Sequence, residues 1–217
     1  MIESVIFDMD GLMIETEHLQ SQAFEHVLRG HGIEPQFNED GVIQTVGLTA
    51  RDNLVIFKEK HGIDEGVDTL LSKKQAVYGE LLKQNIAPKE GLLDLIKALK
   101  QGNLRLAVAS SSSLEHIELV LKELGVSEDF DTVVSGETVS RGKPHPDIFL
   151  EAAKRLNVQP GNCVVFEDAE SGVVAAKAAG MKVIAIPNMY TKSHDFSKAD
   201  VVLPSLTVIN LQVIAAI

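Results

Sequence analysis

Short runs of apolar and mostly β-branched residues alternate with helical patterns through the second half of the chain. The runs occupy residues 4–7, 104–109, 131–134, 163–166, 182–186 and 201–203. Between them, apolar side chains recur three or four positions apart, as at Leu92, Leu95 and Leu99, which predicts amphipathic helices. Alternating strands and helices are typical of β-α units on a parallel sheet. The pattern therefore predicts an α/β fold with a three-layer, Rossmann-like parallel-sheet core.

One stretch of the chain, residues 16–86, breaks this alternation. Its apolar positions follow a helical period only, and it comes directly after the first predicted strand. A helical block at this place is predicted to be an insert that forms a small lid over the sheet. We expect residues 1–15 and 87–217 to form the core and residues 16–86 to form a helical cap. A short amphipathic helix is predicted for residues 206–217.

Charge and composition exclude several classes of partner. The 217 residues carry 20 basic and 31 acidic side chains, a formal net charge of -11. Nucleic acids and anionic membranes normally require a basic surface, so neither is expected as a partner. Cys163 is the single cysteine and stands in an apolar run, which predicts a buried thiol in a reducing compartment. We expect a soluble cytoplasmic protein, and nothing in the sequence requires more than a monomer.

Polar side chains follow four of the predicted strands. The first strand leads into Asp8 and Asp10, the second into serines 110–113, the third after a turn to Lys143, and the fourth to Glu167 and Asp168. Ligands of open α/β sheets bind beyond the carboxyl ends of the strands. Four carboxylates gathered there would raise one another's pKa unless a cation binds among them, and hard oxygen ligands suit Mg²⁺.

Lys143 and the serine hydroxyls could bind the phosphate group of the same ligand, the serines with the help of a helix N-terminus. Each feature also has a simpler explanation. Asp-x-Asp-Gly is a common turn, a serine can cap a helix, Lys143 could be a solvated loop residue, and acidic residues favour helix starts. Their joint placement at strand ends favours a site for phosphoryl transfer.

The sequence resembles the haloacid dehalogenase superfamily, and within it the small phosphatases and β-phosphoglucomutase-like enzymes. The segment from Val5 to Gly11 is similar to the first motif of the superfamily, and Ala109 with Ser110 to the second. Residues 143–144 are similar to the third motif. Residues 167–168, together with Gly172, are similar to the fourth. The resemblance covers essentially the whole chain and implies a four-helix cap in the insert.

This resemblance implies a role for each motif residue. Asp8 would attack phosphorus to give an aspartyl-phosphate, and Asp10 would serve as general acid and then general base. Ser110, Ser111 and Lys143 would bind the phosphate. Mg²⁺ would be held by Asp8, the backbone carbonyl of Asp10 and Asp168, with Glu167 beside it.

The acceptor of the phosphoryl group distinguishes two activities. The resemblance implies that Thr16, Gln20, Arg51 and Lys74 lie where the cap would contact substrate. Mutases of this type have a histidine where this chain has Gln20, so we expect a phosphatase of a small phosphorylated metabolite, a sugar phosphate or nucleoside monophosphate. A β-phosphoglucomutase-like mutase is the alternative.

Two other functions are disfavoured by the motif residues. Asp10 and the Glu167-Asp168 pair argue against dehalogenation, which the resemblance associates with enzymes that need neither the metal nor a second aspartate. A non-catalytic phosphate-binding protein would be expected to have lost one of the motif residues, and this chain retains all of them.

Overall fold

The computed structural model describes residues 1–36 and 50–217. The strands are β1 (Ser4–Phe7), β2 (Arg105–Ser110), β3 (Thr132–Ser135), β4 (Cys163–Glu167), β5 (Lys182–Ala185) and β6 (Val201–Val202). The helices are α1 (Glu17–Gly30), α2 (Ala50–His61), α3 (Val67–Gln84), α4 (Leu92–Gln101), α5 (Leu114–Glu123), α6 (Asp147–Leu156), α7 (Glu170–Ala178) and α8 (Leu211–Ala215). All six predicted strands are present, and their ends differ from the prediction by no more than one residue.

The six strands form one parallel sheet in the order β3-β2-β1-β4-β5-β6. From β1 the chain moves outward through β2 to β3, then returns to β4 and continues in the opposite direction. Because parallel crossovers are right-handed, α4 and α5 lie on one face and α6 and α7 on the other. The predicted three-layer α/β core is confirmed. The direction of the chain reverses between β1 and β4, which is where ligands bind in such sheets.

Both faces of the sheet are buried. On the α6 and α7 face, Ile6, Ala107 and Val165 pack among the apolar side chains of these helices. On the opposite face, the ring centroid of Phe7 lies 5.7 Å from that of Phe130 and 5.0 Å from that of Phe166. Continuous apolar strands are the expected result when helices cover both sides. Cys163 is buried, as its apolar neighbours predict.

A second compact unit, Thr16–Asn85, is distinct from the unit formed by Met1–Glu15 and Ile86–Ile217. Its described part contains α1, α2 and α3, and both α1 and α2 pack against α3. Phe24 and Phe57 meet edge to face with their centroids 5.8 Å apart, beside the buried Leu54 and Leu70. The unit therefore has its own apolar core, and its action as a lid stays a prediction.

The C-terminal segment differs from the single helix predicted for residues 206–217. A 3₁₀ turn occupies Leu206–Val208, and only Leu211–Ala215 is α-helical. The side chain of Asn210 accepts hydrogen bonds from the backbone N–H groups of Gln212 and Val213, so the helix begins at this cap. Within the described residues, no helix combines the length and the apolar character needed to cross a bilayer.

Candidate active site

The first strand delivers Asp8 and Asp10 to the carboxyl edge of the sheet. The backbone N–H of Asp8 donates to the carbonyl of Phe166 on β4 over 3.0 Å, so the nucleophile candidate continues the sheet pairing. The chain then turns at Gly11, whose φ of 80° lies in the left-handed region that favours glycine. Its N–H donates to the carbonyl of Ile14 over 2.8 Å and closes the turn.

Lys143 joins the ends of β1 and β4. Its Nζ donates to Asp8 Oδ1 and to Glu167 Oε1, both over 2.6 Å. The lysine side chain is only 7% exposed, and Nζ also lies 5.0 Å from the ring centroid of Phe149. A buried ammonium in this environment is stabilised by the two carboxylates and the ring together. The structure thus brings together three residues that are far apart in the sequence.

Glu167 is held at both carboxylate oxygens. While Oε1 accepts from Lys143, Oε2 accepts from the backbone N–H groups of Asp168 and Ala169 over 3.0 and 3.1 Å. The space for this carboxylate exists because residue 172 is glycine. A Cβ built at Gly172 would lie 1.7 Å from Glu167 Oε1. The glycine of the fourth motif is therefore a steric requirement of the site.

We expect Gly172→Ala to displace the Glu167 carboxylate and to break its bond to Lys143. Helix propensity alone would favour alanine by about 1 kcal/mol, but a contact of this kind must be relieved by moving a buried group. We expect kcat to fall about 100-fold, as when a catalytic group is misplaced by roughly 1 Å, together with a lower Tm.

Gly161→Ala is the matched control, because a Cβ at Gly161 would meet nothing within 4 Å. Phosphatase assays and thermal melts of both variants test this steric requirement. Equal kcat for the Gly172→Ala protein and the wild type would show that Glu167 tolerates displacement.

Two serines bind the carboxylate of Asp10. The hydroxyls of Ser110 and Ser112 donate to Asp10 Oδ2 over 2.9 and 2.8 Å, and Ser110 Oγ accepts from Ser112 N over 3.0 Å. Ser112 was not singled out from the sequence; it lies in the bend that follows the end of β2 at Ser110. Ser111 is exposed, and its backbone lies against Gly136. Binding of phosphate by Ser110 and Ser111 stays a prediction.

The charges of the cluster are not balanced. Burial raises the pKa of Asp8 to about 8 against the effect of Lys143, and the charges of Glu167 and Asp10 raise it further. Burial alone would lower the pKa of Lys143, but the charges and hydrogen bonds of Asp8 and Glu167 outweigh this and raise it. The lysine therefore stays protonated, and the excess charge of the cluster is negative.

The donor set fits a hard divalent cation. Asp8, Glu167 and Asp168 are buried, and each offers a carboxylate oxygen within 4.8 Å of the others. Oxygen ligands of this kind suit Mg²⁺, and a cation would relieve the excess negative charge that raises the pKa of Asp8. Participation of Asp10 through its backbone carbonyl stays a prediction.

The raised pKa of Asp8 predicts a pH-dependent stability of the metal-free protein. Asp8 titrates near 3.8 when unperturbed and near 8 in the folded protein. Between about pH 4 and pH 8 the folded state therefore holds a proton that the unfolded chain has released, so stability falls as the pH rises. In EDTA, we expect the Tm of Asp8→Asn minus that of the wild type to increase from pH 5 to pH 8. Thermal melts across this range measure the difference, and a constant difference would contradict the assignment.

The candidate substrate residues of the helical unit have different surroundings. Lys74 is buried, contacts Gln20 Oε1 through its Nζ, and lies 5.1 and 5.0 Å from the ring centroids of Phe24 and Tyr78. Thr16 is also buried. Arg51 is instead 52% exposed and forms an ion pair with Asp68. Within this unit, Gln20 and Lys74 are brought together, whereas Arg51 pairs with a carboxylate on α3.

Fold and site together define a class of protein, an α/β enzyme whose acidic site lies where β1 and β4 end side by side. The sequence matches the family model of haloacid dehalogenase-like hydrolases over residues 5–186. The chain belongs to this family, which confirms the resemblance drawn from its motifs.

Individual relatives include phosphatases and a mutase. A phosphorylated carbohydrates phosphatase from Thermotoga maritima is 36% identical over 187 residues, 84% of each chain. The β-phosphoglucomutase of Bacillus subtilis is 32% identical over 193 residues, 85% of this chain and 83% of the relative. Among solved structures, a mutant of CbbY from Rhodobacter sphaeroides in complex with xylulose-(1,5)bisphosphate is similar with a TM-score of 0.86 and 28% identity over 98% of each chain.

Proposed function

We propose that this hydrolase is a Mg²⁺-dependent phosphatase that cleaves phosphate from a phosphorylated carbohydrate through an aspartyl-phosphate. The observation that carries the proposal is the buried contact of Lys143 with Asp8 and Glu167 at the ends of β1 and β4. A lysine held in this way orients Asp8 and provides positive charge where the phosphoryl group of a substrate would lie.

In the first step, a carboxylate oxygen of Asp8 attacks phosphorus, and the bond between phosphorus and the ester oxygen breaks. The leaving sugar oxygen takes a proton from Asp10, which acts as the general acid. The hydroxyls of Ser110 and Ser112 support this role because both donate to Asp10 Oδ2 and so hold the carboxyl group in one orientation. Lys143 stays protonated and balances the charge on the phosphoryl oxygens.

In the second step, Asp10 takes a proton from a water molecule that attacks the phosphorus of the aspartyl-phosphate. The bond between phosphorus and Asp8 breaks, and inorganic phosphate and the Asp8 carboxylate are released. The same residue acts first as acid and then as base, so each cycle returns it to its starting state.

Asp8 and Asp168 would supply the carboxylate ligands of Mg²⁺. Both oxygens of Glu167 already accept hydrogen bonds, so Glu167 would contribute negative charge beside the ion. When bound, Mg²⁺ would neutralise charge on the phosphoryl oxygens and lower the pKa of Asp8.

Carbohydrate phosphates are the proposed substrate class because particular relatives are named for them, including the phosphorylated carbohydrates phosphatase of Thermotoga maritima. In the helical unit, the buried Lys74 and the adjacent Gln20 are proposed to select the substrate. The relationship to β-phosphoglucomutase keeps a mutase as the second candidate, in which a sugar phosphate replaces water as the acceptor.

A substrate screen that measures released phosphate and isomerised sugar in the same samples tests the proposal. The set should contain aldose and ketose phosphates, β-glucose 1-phosphate and nucleoside monophosphates. We expect steady phosphate release from sugar phosphates, its loss in EDTA and its return with added Mg²⁺. Isomerisation of β-glucose 1-phosphate without phosphate release would favour the mutase, and activity unaffected by EDTA would contradict the metal requirement.

A further inference from the structure

An amide side chain outside the sequence motifs connects two parts of the acidic cluster. Asn188 follows β5, which pairs with β4 in a register that places Ala185 beside Glu167. Its Nδ2 donates to Asp168 Oδ2 over 2.9 Å and to the backbone carbonyl of Gly11 over 3.2 Å. One side chain therefore contacts both a candidate metal ligand and the turn that follows Asp10.

The orientation of this amide is set by its own loop. Asn188 Oδ1 accepts from the backbone N–H groups of Tyr190 and Thr191 over 2.8 and 3.1 Å. The N–H of Asn188 donates in turn to the hydroxyl of the buried Thr191 over 3.0 Å. Because the amide oxygen faces two N–H donors, the amide nitrogen must face Asp168.

The contact restricts the carboxylate of Asp168 without changing its charge. A carboxylate with one oxygen bound to a fixed donor has already lost rotational freedom before a cation binds. The entropy lost on cation binding is therefore smaller. A lysine or arginine at this position would orient Asp168 as well, but its charge would repel the cation. The neutral amide avoids this repulsion.

The second hydrogen bond acts on the first motif. The carbonyl of Gly11 belongs to the turn that begins at Asp10, and the N–H of Gly11 is bound to Ile14. With its carbonyl bound to Asn188, the turn is fixed from both sides. The position of Asp10 is thereby linked to that of Asp168 through a single amide group.

We propose that Asn188 is a positioning residue that sets the affinity of the Asp8, Glu167 and Asp168 cluster for Mg²⁺. The proposal rests on the proposed Mg²⁺-dependent function and adds a determinant from the loop after β5. Asn188 acts through the ligand Asp168 and through the Asp10 turn.

Titration calorimetry of Mg²⁺ into the EDTA-treated and dialysed protein tests this role. We expect Asn188→Ala to raise the Kd for Mg²⁺ by roughly 10- to 100-fold, the range found when partners of metal ligands are removed. Asn188→Ser is the second variant, since a serine hydroxyl can still accept from a backbone N–H two residues on but is too short to reach Asp168. It should fold like the wild type and weaken Mg²⁺ binding to a similar degree.

Asn162→Ala is the matched control. The amide of Asn162 also donates to a carboxylate, that of Glu3 over 2.6 Å, but at the opposite end of β4. We expect its Kd for Mg²⁺ to equal that of the wild type, and the Mg²⁺ concentration for half-maximal activity to rise only in the Asn188 variants.

Unchanged Mg²⁺ affinity in both Asn188 variants would overturn the inference, even if their Tm falls. An equal loss of affinity in Asn162→Ala would also overturn it. Failure of the wild type to bind Mg²⁺ would instead contradict the proposed function, so the two failures are distinguishable.

Discussion

Asp8→Asn is expected to abolish turnover, with a fall in kcat of about 10⁵-fold or more, the scale seen when a covalent nucleophile is removed. Asparagine has nearly the shape of aspartate, so the strand end should keep its structure. Its amide is a poor nucleophile and cannot form an aspartyl-phosphate. Steady-state hydrolysis of a generic aryl phosphate measures the loss, and acid-quenched reactions with ³²P-labelled substrate should yield labelled wild-type protein and no labelled variant.

The matched control for this substitution is Asp131→Asn. Asp131 is exposed, and its Oδ2 accepts from the backbone N–H of Leu106 over 2.8 Å, away from the cluster, so the control alters a hydrogen-bonded carboxylate that has no part in the site. We expect it to retain wild-type kcat. Substantial hydrolysis by the Asp8→Asn protein would exclude Asp8 as the nucleophile, whatever the state of the metal.

Lys143→Met is expected to affect both activity and stability. Methionine has a similar length but carries no charge, so Asp8 and Glu167 lose the ammonium between them. Removing one partner of a buried ion pair costs about 3–5 kcal/mol, because the remaining charge stays buried. We expect this loss in the free energy of unfolding in EDTA and a fall in kcat of about 10³-fold, as when an electrostatic stabiliser of the transition state is removed.

Urea unfolding with and without Mg²⁺ separates the two effects. Bound Mg²⁺ should restore part of the stability of the Lys143→Met protein, because it adds positive charge to the same cluster. Arg141→Met is the control. Arg141 lies two residues before Lys143 in the sequence and forms a surface ion pair with Asp147, so its substitution should have little effect on stability. Wild-type stability in the Lys143→Met protein would mean that Asp8 and Glu167 do not depend on this cation.

The sequence predicted the sheet well because parallel strands that are buried on both faces have continuous apolar sequences. It also predicted that Asp8, Lys143 and Glu167 would approach one another, since parallel strands end at one edge of the sheet. The family resemblance added the order of the motifs. The approach of Asp8 and Glu167 depends on strand positions and tolerates an error of one residue at a strand end, whereas Lys143 lies in the connection after β3.

Other contacts depend on geometry that residue patterns do not contain. The choice between Ser111 and Ser112 depends on where the extended backbone of β2 ends. The bond from Asn188 to Asp168 depends on the amide orientation that one loop imposes. The contact between Gln20 and Lys74 joins α1 to α3 and requires the rotation of each helix about its axis. The helix predicted from residue 206 begins later because Asn210 caps it.

The central position of β1 has a consequence for how the chain folds during synthesis. Ser4 pairs with Arg105 on one side and with Cys163 on the other, so β1 has neither partner until about 100 further residues have been made. Contacts at this sequence separation form slowly. Until then, Val5, Ile6 and Phe7 form an apolar segment without its strand partners, and unpaired apolar strands of this kind are prone to aggregate. The strand that carries the candidate nucleophile is therefore made before both of its partners and completes its pairing only after β4 has been made.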